Sequence, residues 1–151
     1  MSRSHVGHAA VLLAGLLVQA CGSTPPESPG DMPVPGPETK ALAATLEREG
    51  ASVTFAKAMP PSAHPYFRVQ AARYVLNGEN LYAFEYGSGA EATADATRIA
   101  SDGASVGTTL ISWVSDPHFY RSGNLIALYV GRTSPILVLL QRVLGQQTAG
   151  R

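Results

Sequence analysis

The chain has 151 residues, 45% of them hydrophobic and 15% charged, and its 11 basic and 11 acidic side chains cancel. Positions 38–151 carry ten Lys or Arg and nine Asp or Glu residues, so the charge is balanced there too. This length and composition suit a single domain with a hydrophobic core. Because basic residues are not in excess, we expect no binding to nucleic acid.

The first 20 residues have the pattern of a secretory signal peptide. Arg3 supplies a positive charge, and positions 9–20 form an apolar stretch of 12 residues interrupted only by Gln19. A helix needs about 20 apolar residues to cross a bilayer, so this stretch is too short to be a permanent span. We predict that residues 1–20 direct export and are then removed.

The only cysteine of the chain follows directly. The run Val18-Gln19-Ala20-Cys21 resembles the lipobox of bacterial lipoproteins. The resemblance implies that Cys21 becomes the first mature residue and carries a diacylglycerol on its sulfur, and two acyl chains suffice for stable anchoring. The alternative is a soluble secreted protein with an unpaired thiol, which would itself need an explanation.

The resemblance also implies a location in the bacterial cell envelope, outside the cytoplasm. The residue after the cysteine is Gly22, not the aspartate linked with inner-membrane retention in enterobacterial lipoproteins. The implied membrane is therefore the outer one, where the cell has one. The lipid anchor would be the contact with the membrane, and an envelope protein is the kind of partner expected.

A proline-rich tether, residues 21–37, separates the anchor from the rest of the chain. It contains six prolines and no aromatic residue. Proline fixes φ and lacks an N–H donor, which excludes helix and interior strand. An extended spacer at about 3.1 Å per residue would reach on the order of 50 Å. All 11 aromatic residues lie beyond it, so we predict one domain over residues 38–151.

The first elements of this domain follow from the spacing of apolar residues. Leu42 and Leu46 are one helical turn apart and Gly50 is a stop, which predicts a helix of about three turns. Val53 and Phe55 alternate with polar residues, which predicts a strand.

Asn77-Gly78 predicts a hairpin, because both residues accept positive φ. It lies between apolar runs at 67–76 and 79–86. With a two-residue turn, one face would carry Val69, Ala71, Val75, Tyr82, Phe84 and Tyr86. We predict that this face is the core side, since Arg68, Gln70 and Glu85 fall on the other.

The remaining elements complete an α+β domain. A helix begins at a capping box formed by Ser88 and Glu91 and continues through Ile99, and a strand follows at 108–113. A second hairpin turns at Ser122-Gly123, between runs at 118–121 and 124–130. The last helix begins at Ser134-Pro135 and ends at Gly145. We expect an antiparallel sheet of about five or six strands with three helices on one face.

Two stretches share a pattern. Asn80-Leu81 and Asn124-Leu125 are 44 residues apart, and each precedes a predicted capped helix. The domain is therefore interpreted as two hairpin-plus-helix units, either from a duplication or from the general likeness of such units.

One match to a catalytic motif is interpreted as a loop. Gly103-Ala104-Ser105-Val106-Gly107 fits the G-x-S-x-G pattern of hydrolase nucleophile elbows. That elbow needs a strand before the serine and a helix after it, whereas here a helix precedes and a strand follows.

The best remaining candidate for a site is the segment from Trp113 to Arg121. Its candidate ligand-binding residues are Trp113, Asp116, His118, Tyr120 and Arg121. In one interpretation, His118 is a general base oriented by Asp116 in a ligand cleft. In the other, which we favour, the segment is structural, with no catalytic residue.

The structural interpretation places a turn at Asp116-Pro117 before an edge strand, with Phe119 or Tyr120 packed inward and Trp113 mostly buried. Metal and cofactor sites are not expected, because His64 and His118 lack a second histidine at helical spacing and Cys21 is consumed.

The sequence thus favours a lipid-anchored envelope protein that acts as a non-enzymatic binding or scaffolding module. The alternative is a small ligand-binding domain or enzyme that uses the segment from Trp113 to Arg121. A pocket in which Asp116, His118 and Arg121 converge would favour the alternative. An exposed apolar patch would favour the binding module.

Overall fold

The structure, a computed structural model, describes residues 35–151. The predicted signal peptide, residues 1–20, the predicted lipidation site Cys21 and nearly all of the predicted tether lie outside the described residues. The first helix begins at Pro37, directly before the predicted start of the domain.

The described residues contain three α-helices and eight strands. The helices are α1 (Pro37–Arg48), α2 (Gly89–Ala96) and α3 (Ser134–Leu144). The strands are β1 (Val53–Met59), β2 (Ala71–Leu76), β3 (Glu79–Glu85), β4 (Ser105–Val106), β5 (Thr109–Leu110), β6 (Pro117–Ser122), β7 (Leu125–Val130) and β8 (Gln147–Gly150). A single 3₁₀ turn, Pro61–Ala63, follows β1.

Six strands form one antiparallel sheet in the order β1-β2-β3-β7-β6-β8, and β4 pairs with β5 in a separate ladder. The predicted α+β class, with a six-stranded antiparallel sheet and three helices, is confirmed. Strand β8 was not predicted. Because it pairs with β6, the strand that carries His118 is an interior strand and not the predicted edge strand.

Both faces of the sheet are covered, which corrects the prediction that the helices share one face. Helices α1 and α3 pack on the face that presents Tyr74 and Leu81. Helix α2 packs on the other face, where Phe84 is buried as predicted and Leu128 is buried too. A strand buried on both faces is apolar at successive positions, as β7 is, so alternation alone cannot identify a single core side.

The two predicted hairpins are present, and the turn of the second lies one residue later than predicted. Asn77 and Gly78 have φ of 49° and 89° and form the expected turn between β2 and β3. In the second hairpin Ser122 pairs with Leu125, so the turn residues are Gly123 and Asn124 and not Ser122-Gly123. The φ of 56° at Gly123, the first turn residue, is typical of a type II′ turn.

Two other predicted elements are shorter than expected. Helix α2 has the predicted cap, in which the Ser88 side chain accepts from the Glu91 N–H, but it ends at Ala96 and not at Ile99. Ile99 instead forms an isolated bridge with Val106, which draws the chain into the small β4–β5 ladder. The strand predicted at 108–113 contracts to β5, and an irregular segment follows it.

The two hairpin-plus-helix units meet at the centre of the sheet. Ala83 of β3 pairs with Ala127 of β7, and these are matching positions of the two related stretches. The paired hairpins are thus arranged about a local two-fold axis. The helices break this symmetry, because α2 and α3 lie on opposite faces.

Candidate functional site: an aromatic cleft

The five candidate residues of the segment from Trp113 to Arg121 do not converge on one site. Trp113 lies on the sheet face covered by α2, where its ring contacts Tyr66 and Phe119 at centroid distances of 6.0 and 5.9 Å. It is half-buried and not mostly buried as predicted. His118 lies on the opposite face, stacked on Tyr129.

Both ring nitrogens of His118 are held by the protein. Nε2 lies 2.9 Å from the carbonyl oxygen of Gly131, which can only accept, so Nε2 carries a proton. Nδ1 lies 2.8 Å from the side-chain amide of Gln147 on β8. The side chain is buried, with 5% of the residue exposed. This environment suits a structural histidine better than a general base, which must reach a substrate.

The other three candidates have separate surroundings. Asp116 forms a two-bond ion pair with the guanidinium of Arg132, at 2.7 and 3.2 Å. The hydrogen bond from Arg132 holds the pKa of the Asp116 carboxyl below its usual range. Tyr120 is buried in the core beneath α1 and α3, and Arg121 is exposed and donates to the Gly123 carbonyl.

Ser105 of the G-x-S-x-G match begins strand β4 and is followed by a tight turn, with φ of 59° at Gly107, into β5. A strand, a serine and then a helix would be needed for a nucleophile elbow. The interpretation as a loop motif agrees with this backbone.

A cleft of about 500 Å³ opens on the face of the sheet covered by α2. Four rings line it: His64, Tyr66, Tyr82 and Trp113. Aliphatic side chains beside them are Ile111, Val114, Leu128 and Val130. We call this the aromatic cleft. A concavity lined by aromatic and aliphatic side chains together with a few polar groups is typical of a binding site.

Three separate parts of the chain supply the four rings of the aromatic cleft. The segment between β1 and β2 carries His64 and Tyr66 over the sheet, where the His64 ring lies 4.9 Å from the ring of Tyr82. Tyr82 projects from the central strand β3. Trp113 comes from the irregular segment after β5 and is fixed by a 2.7 Å hydrogen bond from its indole N–H to the Gly103 carbonyl.

His64 is the imidazole that lines the cleft, and its buried position favours the neutral form. Its Nδ1 lies 2.8 Å from the hydroxyl of Tyr66. Burial lowers the pKa of His64 and raises the pKa of Tyr66. The hydroxyl of Tyr66 therefore keeps its proton and can donate a hydrogen bond to Nδ1. Nε2 of His64 is shielded from solvent and makes no hydrogen bond within residues 35–151.

The aromatic cleft has no cationic side chain in its lining. Its polar members include Asn80 and Ser112, and no Lys or Arg of the described residues 35–151 is among them. Glu79 also borders it, but its carboxylate accepts hydrogen bonds from Tyr129 and Thr133 at the start of α3. Such a lining favours an apolar or neutral group over an anion, which would lack a cationic partner.

The sequence had indicated only one of the four rings of the cleft as a site residue, Trp113. From the sequence, His64 is only an isolated candidate for a metal ligand, and Tyr82 is only a core residue. No short-range pattern joins them, because they lie on different elements.

Within residues 35–151, no group of three or more His, Cys, Asp or Glu side chains is placed to hold a metal ion. None of the helices in this part of the chain has the length and apolar character needed to cross a membrane. Comparison with protein-family models, curated proteins and solved structures finds no match to the chain.

Proposed function

We propose that this protein is a lipid-anchored binding module of the bacterial envelope, and that it holds its ligand in the aromatic cleft. The anchor rests on the lipobox resemblance around Cys21. The observation that carries the binding role is the cleft itself: four rings from three parts of the chain around about 500 Å³. Tyrosine and tryptophan rings supply a large contact area at little conformational entropy cost.

The surface beside the cleft supports binding as well. Val114 is 99% exposed and Leu110 is 85% exposed, and Val114 borders the cleft. When a partner covers exposed aliphatic side chains, the burial stabilises the complex by about 25 cal/mol per Å² of apolar surface. Val114 and the half-buried Trp113 both border the cleft, and exposed apolar side chains at its rim are typical of an interaction site.

Binding without catalysis is the better supported form of this function. A general acid or base needs a titratable group within hydrogen-bond reach of the substrate. His64 directs Nδ1 to Tyr66, and its Nε2 is shielded from solvent. The alternative, a ligand site or enzyme built on the segment from Trp113 to Arg121, has less support because only Trp113 of its candidate residues lines the cleft.

The test compares two valine substitutions on the full chain. Val114→Asp places a charge at the border of the cleft, whereas Val138→Asp places the same charge on the exposed side of α3, where Val138 is 55% exposed. Each variant is immobilised and incubated with a bacterial envelope extract. We expect Val114→Asp to lose the molecules that both the wild type and Val138→Asp retain. Equal capture by all three proteins would contradict the proposed function.

A second measurement tests whether the captured ligand binds in the aromatic cleft. Trp113 is the only tryptophan of the chain, so its fluorescence reports on the cleft. We expect the emission of the wild type to shift when the retained fraction is added back. An unchanged emission on binding would place the ligand elsewhere on the protein.

A further inference from the structure

The aromatic cleft has a polar neighbour on the other side of the same segment. A second cleft of about 420 Å³ is lined by Ser115, Asp116, Arg132 and Arg151. The two clefts share the residues from Ile111 to Val114, and we call residues 112–115 the wall between them. A ligand that crosses this wall would contact an aromatic surface on one side and a charged surface on the other.

The backbone of the wall is unused. The N–H of Ile111 donates to the carbonyl of Ala104, and the carbonyl of Asp116 accepts from Gly131. Between them, Ser112, Trp113, Val114 and Ser115 make no backbone hydrogen bond within the described residues. Main-chain groups of this kind are matched by the alternating donors and acceptors of another polypeptide.

The exposed side chains of the wall point to the same class of ligand. Val114 is almost wholly exposed, and it lies next to Trp113. Covering it requires an apolar surface, which the side chains of a peptide provide. An extended peptide combines apolar side chains with main-chain hydrogen bonds.

The charged side chains of the second cleft set the orientation in which a ligand crosses the wall. The guanidinium of Arg132 uses two of its five N–H groups on Asp116, and its side chain is 75% exposed. The remaining N–H groups can donate to a further carboxylate, and Asp116 fixes the orientation of the fork. The side chain of Arg151 adds a second guanidinium to this cleft, beside the paired Asp116 and Arg132, whereas no Lys or Arg of residues 35–151 lines the aromatic cleft.

From these observations we propose that the ligand is an extended polypeptide segment of a partner protein. It crosses the wall from Ser112 to Ser115, with an apolar or aromatic side chain in the aromatic cleft and a carboxylate at Arg132. This proposal rests on the proposed function and names the ligand of that same site.

The test starts from peptides whose sequences are not assumed. The full chain in detergent micelles is used to select binders from a phage-displayed library of random dodecapeptides. We expect the selected peptides to pair an apolar or aromatic residue with an Asp or Glu a few residues away. A synthetic peptide of the selected sequence should then shift the Trp113 emission.

A matched pair of substitutions tests the carboxylate. Arg132→Gln removes the proposed contact, and Arg142→Gln removes an exposed arginine of a comparable ion pair, with Glu49 on the far side of the domain. We expect the peptide to bind Arg132→Gln about tenfold more weakly and Arg142→Gln unchanged, because a charge-assisted hydrogen bond is lost only in the first. Replacing the peptide carboxylate by an amide should weaken binding to the wild type equally, with no further loss on Arg132→Gln.

Two outcomes would overturn the inference. Selected peptides that lack an acidic residue, or that bind Arg132→Gln as tightly as the wild type, would exclude the carboxylate contact. If no peptide is selected while Val114→Asp still loses its captured material, the ligand is not a polypeptide and the proposed function stands. If Val114→Asp captures as the wild type does, the proposed function itself fails.

Discussion

The hydroxyl of Tyr86, directly after β3, donates a 3.1 Å hydrogen bond to the carboxylate of Asp95 on α2. Asp95 has no exposed side-chain surface, and it also accepts from Arg98 at 2.8 Å and from Arg68 at 3.3 Å. Arg68 belongs to the segment that carries His64 and Tyr66 into the aromatic cleft. One buried carboxylate therefore connects the sheet, α2 and a wall of the candidate site.

We predict that Asp95→Asn destabilises the domain by about 1–3 kcal/mol. The uncharged amide of Asn replaces a buried carboxylate that accepts three hydrogen bonds, two of them from arginine. Urea unfolding measures the loss. The matched control is Asp102→Asn on an exposed loop, which should stay within about 0.5 kcal/mol of the wild type. Equal stability of the two variants would show that the Asp95 network does not hold α2.

The same substitution should change the acid sensitivity of the protein. Desolvation raises the pKa of Asp95, but the hydrogen bonds from Arg98 and Tyr86 and the two arginine charges outweigh it, so the pKa is lowered overall. The stabilisation is thus complete above the unfolded value of about 3.9 and is lost as the pH falls through the lower folded value. Below about pH 4 the melting temperature of the wild type should fall, and we expect this fall to be smaller in Asp95→Asn. An equal fall in both proteins would mean that other carboxyl groups cause the acid sensitivity.

Phe84 should be the most costly aromatic side chain to truncate. It is 0% exposed, and its ring lies 4.7 Å from Phe67 and 5.6 Å from His64. We predict that Phe84→Ala costs about 3–5 kcal/mol in the free energy of unfolding. Phe55→Ala is the control, since Phe55 is 42% exposed on the edge strand β1. A melting temperature of Phe84→Ala equal to that of the control would contradict the assigned core.

His118→Ala should also destabilise the fold. The sequence had placed His118 on an edge strand, where its loss would matter little, but the buried ring bonds Gly131 and Gln147 at once. We predict a loss of about 1–3 kcal/mol, because the buried carbonyl of Gly131 is left without its hydrogen-bond donor. Arg121→Ala, an exposed position of the same strand, should change little by the same thermal melt. A stable His118→Ala that lost ligand binding would instead make His118 a site residue.

Lipidation at Cys21 remains a prediction from the sequence. Expressed in a bacterium, the wild type should enter the detergent phase of a two-phase separation, and Cys21→Ser should stay in the aqueous phase. The physical reason is the transfer of acyl chains, at about 0.8 kcal/mol per buried methylene. Aqueous partitioning of both proteins would exclude the anchor.

The start of the folded domain can be located by truncation. The Gly36 carbonyl accepts from the Lys40 N–H and from the Thr39 hydroxyl at the start of α1. A chain that begins at Pro35 should melt as the mature chain does, because the tether before it has little apolar surface to bury. A chain that begins at Glu38 loses that carbonyl and should melt lower. A large drop already at Pro35 would mean that the tether packs on the domain.

Local chemistry was readable from the sequence. The turn at Asn77-Gly78 depends on two residues that accept positive φ, and the cap of α2 depends on Ser88 and Glu91, three positions apart. Each such interaction is complete within a few residues. The class of the fold followed from these elements, because an antiparallel sheet with helices is the way to bury their apolar sides.

The tertiary structure alone decided the rest. Strand β8 lacks an apolar pattern and exists only because β6 offers it an edge, which turned the strand of His118 into an interior one. The covering of both sheet faces placed Trp113 and His118, close in the chain, in different cores. The aromatic cleft joins His64, Tyr82 and Trp113 through the strand order, and contacts between residues so far apart in the chain leave no short-range pattern in the sequence.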